Sequence, residues 1–547
     1  MPVVHQTLVE LLESSFGAHA HATANRCMGA DCSFESLEAK SRHLAAYLQG
    51  LGLQYPDRVA VMMPNLPQHP IAIAGVIRAG LVLVEMSPLL SSRELSHQLK
   101  DCGARAVIVL ENFGRCLAEA LPGTQVQIII RSAVGDELGA KGRLVTAVVR
   151  HIKRQVPRAN YGDTRLVGYR SAMAIGTHLG YGRPKRSPDD LALLQYTGGT
   201  TGSSKAAMLS HSNIVANLEQ ASELLAPALQ DPPKQGSQFV MVCALPLFHI
   251  FALTVCFFMS ARLGFKGLLI PNPRDFKGFT STLQKEPIHL FPGVSTLFNA
   301  LMSQPNWKKV QFPDLRVALG GGMAVSQSVA ERWQACTGKP LLEGYGLSET
   351  SPVVSATPLD ASGYLGHVGR PLRDTEIRIL DDRHEPLPKG SIGEIAVRGP
   401  QVMKGYWGKP NESREFFTSD GFFRTGDLGQ ILEDGCLKIV DRKKEMILVS
   451  GYNVYPSEVE QQVQLHPSIQ ECAVVGHPDP NSGEAVWLYA VKREEVSKAD
   501  LFEHCRARLA GYKCPKKIIF LESLPKSSVG KILKRELGVQ PTTGLSR

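Results

Sequence analysis

From Tyr196 to Asn213 the chain reads YTGGTTGSSKAAMLSHSN, a run of glycines and hydroxyls with one lysine and little bulk. Such a composition suits an anion. Small residues let backbone N–H groups converge, and hydroxyls and an ammonium supply further donors. The spacing departs from the common phosphate loop, in which a glycine stands directly before the lysine and a Ser or Thr directly after it. Here Ser203 and Ser204 separate Gly202 from Lys205, and Ala206 follows. A mechanical nucleoside triphosphatase built on that loop is therefore disfavoured, and a plain turn is the ordinary alternative. LALLQY before the loop reads as a strand and SNIVANLEQASELL after it as a helix. The sequence thus predicts a strand–loop–helix unit whose helix N-terminus adds to the anion site.

Three later clusters carry further chemistry. EGYGLSETSPV supplies Tyr345, a flat ring for stacking, with Ser348 and Glu349 behind it; one carboxylate plus phosphate oxygens is a usual Mg2+ arrangement. RTGDLG places Asp427 in a tight turn bounded by glycines, where a carboxylate can accept both hydrogen bonds of a ribose diol. PKSSVGKILKREL carries Lys531 after a glycine near the C-terminus, in a loop read as mobile. Each has a bland alternative: Glu349 a surface acid, Asp427 a turn residue, Lys531 a solvated lysine.

These groups need a scaffold, and the first third of the chain alternates strand and helix. SLEAKSRHLAAYLQGLGL puts Leu37, Leu44, Leu48 and Leu51 on one helical face. RVAVMMP, LVLVEM and ARAVIVL read as strands, HPIAIAGVIRAG as a helix, and Ser91 with Glu94 as a capping box opening SRELSHQLKDCG. That alternation implies an α/β fold, a mainly parallel sheet covered on both faces. GSIGEIAVRGPQVMKGYWGKP predicts a compact β-rich subregion. Beyond the charged joint DRKKE the pattern changes to a small α+β unit, with a helix from about Pro456, strands ECAVVG, AVWLYAV and KKIIFL, and one helix between the last two. The expected division is a large N-terminal domain over 1–440 and a small C-terminal domain over 441–547.

Composition removes several classes. The 11 cysteines are scattered and odd in number, with no C-x-x-C pair, which argues for reduced thiols in a cytoplasmic protein over a disulfide framework or zinc site. The opening MPVVHQTLVELLESS lacks a signal pattern. A net charge of +9, spread along the chain, suits anionic small molecules or an acidic membrane surface, and no nucleic-acid motif accompanies it. Phe239 to Ser260 has no charged residue and is long enough to span a bilayer, but Pro246 and His249 interrupt it. It is read as a buried strand, FVMVCAL, then a buried helix ending at Gly264. RLVTAVVRHIKRQVPR, residues 143–158, is read as an amphipathic surface helix, with reversible contact to anionic lipid at the inner face of the membrane as the sharper alternative. A homodimer is left open.

In this order the motifs are highly specific. LLQYTGGTTGSSKAAMLSH, ALPLFHIFALT, LEGYGLSETSP, GFFRTGDLG, IVDRKKEMILVSGYNVYPSEVE and GYKCPK followed by LPKSSVGKILKREL resemble the adenylate-forming, acyl-activating superfamily, and within it bacterial long-chain fatty acid–CoA ligases. The likeness runs from about Leu37 to Leu537. It implies ATP, Mg2+ and coenzyme A as co-substrates and cofactor: a fatty acid is joined to the α-phosphate with loss of pyrophosphate, then passed to the thiol of coenzyme A. By the same resemblance, Thr197, Gly198, Gly199, Thr200, Thr201, Gly202, Ser203, Ser204 and Lys205 hold the β,γ-phosphates, and Mg2+ sits on Glu349 with Thr200 or Thr201. Gly320, Gly321 and Gly322 form the adenine slot with Tyr345, beside Gly346 and Ser348. Asp427 holds the ribose with Arg442 nearby, and Lys531 screens carboxylate from phosphate. The small domain is mobile, hinged at Lys444, and brings Gly451 to the pantetheine arm. Phe248 and His249 stand at the mouth of the acyl tunnel.

The chain departs from the pattern at SSKAAM, at SPLLSSREL and at Phe422, which bears on chain length and thiol acceptor rather than on a catalytic group. Three other readings remain: an acyl-AMP ligase loading a carrier protein, disfavoured by the lack of an insertion before the hinge; a non-catalytic acyl- or nucleotide-binding protein; and a membrane transporter.

Overall fold

Short apolar runs separated by amphipathic helices are what a doubly covered parallel sheet requires, and the chain builds two. The computed structural model describes residues 5–197, 204–233, 237–527 and 530–538. Among these residues there are four sheets. One has, in spatial order, Arg165–Gly168, Ile128–Ser132, Ala106–Leu110, Arg58–Met62, Val82–Glu85 and Leu191–Thr197, all parallel, with Lys205–Ser210 antiparallel at the edge. Its central strands are buried on both faces, so they read as continuous runs such as AVIVL. The predicted capping box is present: the Ser91 hydroxyl accepts from the Glu94 N–H, and the Glu94 carboxylate accepts from the Ser91 N–H. Leu37, Leu44 and Leu48 line the buried side of Phe34–Gly50 as their spacing requires.

The second sheet has nine strands. Its parallel centre is Leu341–Gly346, Val317–Gly321, Leu290–Gly293, Val240–Cys243, Lys266–Leu269 and Thr23–Cys27. On one side of this sheet Phe291, Phe298, Phe312, Trp307 and Trp333 pack edge to face or tilted. A four-stranded antiparallel sheet, Glu376–Leu380, Gly393–Arg398, Phe423–Ile431 and Leu437–Arg442, is the β-rich subregion. After a one-turn 3-10 helix at Lys443–Glu445, the chain enters a five-stranded sheet with helices Pro456–Gln464 and Lys498–Arg506.

Three local expectations change. The glycine- and threonine-rich stretch is not followed directly by a helix. Lys205–Ser210 turns back and pairs antiparallel with Leu191–Thr197, from Leu191 opposite Ser210 to Thr197 opposite Lys205. The helix begins only at His211, capped by Ser210, so its N-terminus lies at the far end of a six-residue strand from the loop. Burial of Ala206, Ala207 and Leu209 against the sheet favours strand over helix here. Asp427 lies within the strand Phe423–Ile431 rather than in a turn. Glu394 pairs with Leu428 and Ala396 with Arg424, so Thr425, Gly426 and Asp427 together face Ile395 as a bulge, made possible by Gly426 at φ +72°.

The stretch 143–158 is helical only over Gly142–Ala147 and a π-wound turn Val148–Ile152. Arg154 at φ +50° and Pro157 end it early. The apolar stretch is a strand, Val240–Cys243, then a helix from Ile250 to Leu263 stopped by Gly264 in the left-handed region, as its sequence suggests. Its middle, Leu253–Phe258, is π-wound, which no sequence signal announced. Among the described residues no helix is long and apolar enough to cross a membrane.

Candidate active site

In open parallel sheets, ligands gather beyond the carboxyl ends of the strands. That edge of the nine-stranded sheet carries Gly320 and Gly321 at the end of Val317–Gly321, Tyr345 and Gly346 at the end of Leu341–Gly346, and Pro246 to His249 just past Val240–Cys243. Thr197 ends the last parallel strand of the other sheet. Gly321 is a packing requirement: a Cβ there would meet the Phe251 ring at 3.0 Å. The glycine strand and the helix that follows His249 therefore touch.

The bulge at Gly426 aims Asp427 at two partners. The Tyr345 hydroxyl donates to its Oδ2 at 2.8 Å, and Arg442 Nε lies 3.0 Å from its Oδ1. Register alone sets the second contact, because Asp427 pairs with Arg442 across Phe423–Ile431 and Leu437–Arg442. Each carboxylate oxygen keeps a second lone pair, enough for a ribose diol.

Glu349 and Lys205 form a second cluster. Glu349 is buried in the 3-10 turn Ser348–Thr350, and the Tyr406 hydroxyl donates to its Oε1 at 2.8 Å. Burial raises its carboxyl above the ordinary range, and the Tyr406 hydrogen bond opposes that. A buried carboxylate destabilised as an anion is a fitting ligand for a hard divalent cation, whose charge would offset the burial. Lys205 Nζ pairs with Glu412 Oε2 at 2.7 Å and lies over the Phe416 ring, 4.8 Å from its centroid. Gly198, Gly199, Thr200, Thr201, Gly202 and Ser203 lie outside the described residues. Of the same stretch, the Thr197 hydroxyl donates to the Lys205 carbonyl at 3.3 Å, and Gln98 Nε2 donates to Ser204 Oγ at 3.4 Å.

Lys531 arrives from the far end of the chain. Its loop is clasped by its own ends, with the Ser527 N–H donating to the Lys531 carbonyl at 2.8 Å. The loop docks on the large domain, where the Thr296 hydroxyl donates to the Gly530 carbonyl at 3.2 Å. Gly530 sits at φ +81°, and a Cβ there would stand 2.9 Å from Thr296 Oγ1. Burial, and then the charge of Arg442, pull the Lys531 ammonium down to about 8. Asp427 and Glu445 act in the opposite sense, and Lys444 with Arg442. Burial followed by the charge of Lys531 lowers His249 to about 4, so His249 is a neutral ring at physiological pH.

Lys531, Asp427, Arg442, Lys444, Tyr345 and His249 thus share one electrostatic neighbourhood. Phe248 is buried beside it, with its carbonyl accepting from Gln195 Nε2 at 3.2 Å. Gly322 follows its strand at φ +75°, and Gly346 and Ser348 flank Tyr345 and Glu349. Gly451 is not brought in. It is exposed in the turn between Ile447–Val449 and Tyr452–Val454, with nothing within 4 Å of where a Cβ would stand. Lys444 occupies the 3-10 turn between the two C-terminal sheets. Sequence reasoning missed Thr296, Tyr406 and Glu412. None stands in a run whose composition marks a site, and only the pairing of distant segments brings them here.

The chain matches the AMP-binding enzyme family over residues 12–407 and the AMP-binding enzyme C-terminal domain over residues 458–531. It is 47% identical to a long-chain-fatty-acid–CoA ligase of Escherichia coli O6:H1, across 98% of this chain and 95% of that one. A ligase of the same description from Salmonella typhimurium is 48% identical over the same shares. Among solved structures, ATP-bound MatB from Rhodopseudomonas palustris superposes with a TM-score of 0.79 at 27% identity, covering 97% of this chain and 98% of that one.

Proposed function

The chain belongs to the AMP-binding enzyme family, and from that premise we propose a fatty acid–coenzyme A ligase working through two half-reactions at the site above. In the first, a carboxylate oxygen of the fatty acid attacks the α-phosphorus of ATP. The bond to the α,β-bridging oxygen breaks and pyrophosphate leaves. In the second, the sulfur of coenzyme A attacks the acyl carbonyl, its proton is lost to solvent, and AMP departs. Two unit charges about 4 Å apart repel by about 4 kcal/mol at an effective dielectric near 20. A carboxylate approaching a polyphosphate therefore needs a cation between them, and Lys531 is that cation.

The observation that carries this reading is the docking of the Gly530–Lys531 loop on Thr296, which puts an ammonium beside Asp427, Arg442 and His249. Asp427 would take the ribose hydroxyls and Tyr345 would stack on adenine against Gly320 to Gly322. The stretch from Thr197 to Lys205 would hold the departing phosphates with backbone N–H groups and hydroxyls, without help from a helix dipole. Glu349, with Thr200 or Thr201, would hold Mg2+, which when bound supplies positive charge for the leaving pyrophosphate. Phe248 and His249 would border the acyl group, with the apolar helix Ile250 to Leu263 beyond them. Residues 441–547 would then swing about Lys444 to present Gly451 to the pantetheine arm.

The same chain would reach a membrane surface through its short helix at Gly142–Ala147 and the π turn after it. Leu144 and Ile152 are 69% and 76% exposed there, among Arg143, His151, Lys153 and Arg154. Apolar side chains in a basic rim suit reversible contact with anionic lipid.

The deciding experiment is AMP release from ATP and fatty acids of graded length, with coenzyme A or an acyl carrier protein as acceptor. Release that depends on coenzyme A and on acyl length is expected. Equal release with the carrier protein alone would replace the ligase reading, and none with any acid would end it.

A further inference from the structure

The segment from Lys404 to Phe416 does more than connect two strands of the four-stranded antiparallel sheet. Its first residues lie along Lys205–Ser210 as a further short strand: Met208 N–H donates to the Gly405 carbonyl at 2.9 Å, Lys404 N–H to the Met208 carbonyl at 3.1 Å, and Trp407 N–H to the Ala206 carbonyl at 2.9 Å. Ala207 and Tyr406 stand opposite each other in this pairing. The backbone of Met403 also holds the Glu349 carbonyl, at 2.8 Å. One strap therefore fixes both arms of the candidate phosphate and metal site.

Tyr406 touches both charged groups of that site. Its hydroxyl donates to Glu349 Oε1 at 2.8 Å, and its ring centroid lies 5.3 Å from Lys205 Nζ. The side chain is itself set. The ring is buried and meets Phe416 edge to face at 5.5 Å, and the Tyr406 N–H donates to Ser413 Oγ at 2.8 Å. A phenol donating to one carboxylate oxygen freezes rotation of the carboxylate, which leaves the other oxygen with one direction in which to bind.

We propose that Tyr406 is a positioning residue of the adenylation half-reaction: its hydroxyl holds one oxygen of Glu349 so that the other is presented to a divalent cation. This rests on the reading of Glu349 as a metal ligand, and the test separates the two.

The variant is Tyr406→Phe in the full chain, which keeps the ring against Lys205 and Phe416 and removes one oxygen. Mn2+ binding is titrated by electron paramagnetic resonance with α,β-methylene-ATP present, and the Mg2+ dependence of acyl-AMP formation is measured alongside. A hydrogen bond to a charged group is lost, so both the Mn2+ dissociation constant and the half-saturating Mg2+ should rise about tenfold. The rate at saturating Mg2+ should fall by less than that. A Mn2+ constant equal to the parent's, with only the thermal midpoint lowered, assigns Tyr406 to packing and overturns the inference. In a Glu349→Gln background the second change should cost no further Mn2+ affinity, and additive losses would also overturn it. If Glu349→Gln by itself leaves Mn2+ binding intact, the metal reading of Glu349 fails instead.

Discussion

Lys531 must be charged to do what is proposed for it, yet the fold works against that charge. Burial and Arg442 bring it down to about 8 in the pose seen here. A lysine lowered on folding costs stability below its folded value, and the cost fades as pH rises towards the unfolded one. Lys531→Met should therefore stabilise the chain near neutrality by roughly 1–2 kcal/mol, discounted because Lys531 keeps part of its surface in solvent. The gain should vanish above about pH 10. Thermal midpoints across pH check this. For the reaction the sign is opposite. The protonated fraction of the free enzyme falls as pH rises through about 8, so kcat/KM for acyl-AMP formation should fall on an alkaline limb there. Lys531→Arg should remove that limb, and a limb that stays would assign it to another group. The motif around Lys531 is legible in sequence. The lowered value is not, because burial and Arg442 come from elsewhere in the chain.

At the scale of the element, two glycines decide where reactive groups point. Gly426 lets three residues bulge opposite Ile395 and so turns Asp427 to Tyr345 and Arg442. Gly530 lets the Lys531 loop lie against Thr296. Gly530→Ala would place a methyl 2.9 Å from Thr296 Oγ1 at a φ of +81°, which side chains rarely adopt. About 1–2 kcal/mol of strain is expected if the loop stays docked. Acyl-AMP formation should fall about tenfold, while thioester formation from synthetic acyl-AMP keeps its rate. Equal loss of both would mean that the substitution unfolds the small domain. The hairpin at Lys205 shows why this level is harder to read than strand or helix content. KAAMLS is short, and alanine is compatible with either state. Its strand form is settled by partners on both sides, Leu191–Thr197 and the Gly405–Trp407 segment, which no local window contains.

For the whole molecule, the pose seen here suits the first half-reaction. Lys531 is docked and the Gly451 turn stands in the open. Lys531→Ala should lower acyl-AMP formation by orders of magnitude, yet still make thioester from preformed acyl-AMP and coenzyme A. Lys444→Pro fixes φ at the turn between the two C-terminal sheets and should do the reverse. Acyl-AMP would form and the thioester step would stall. Yields of both products from free acid and from synthetic adenylate check this, and parallel losses in both mutants would sink the domain swing. The basic edge predicts a separate behaviour. The protein should bind vesicles rich in anionic lipid at low salt and leave them at high salt, where the Debye length falls to about 3 Å at 1 M. Leu144→Asp with Ile152→Asp should abolish binding. Retention after a salt wash would contradict this surface.

The sequence by itself determined what is local or periodic: alternating strands and helices, the caps at Ser91 and Gly264, the change of pattern after DRKKE, and the residue types at Lys205, Glu349, Asp427 and Lys531. Backbone sterics and burial of every second or third side chain act within a few residues, so a linear reading captures them. Tertiary structure alone decided which groups meet. Tyr345 reaches Asp427 across 82 positions, Tyr406 reaches Glu349 across 57, and Thr296 reaches Gly530 across 234. Such contacts follow from strand order and register, which depend on how whole sheets bury their faces. The shifted protonation of Lys531 and His249 follows from them in turn, since burial and charge are properties of the assembled fold.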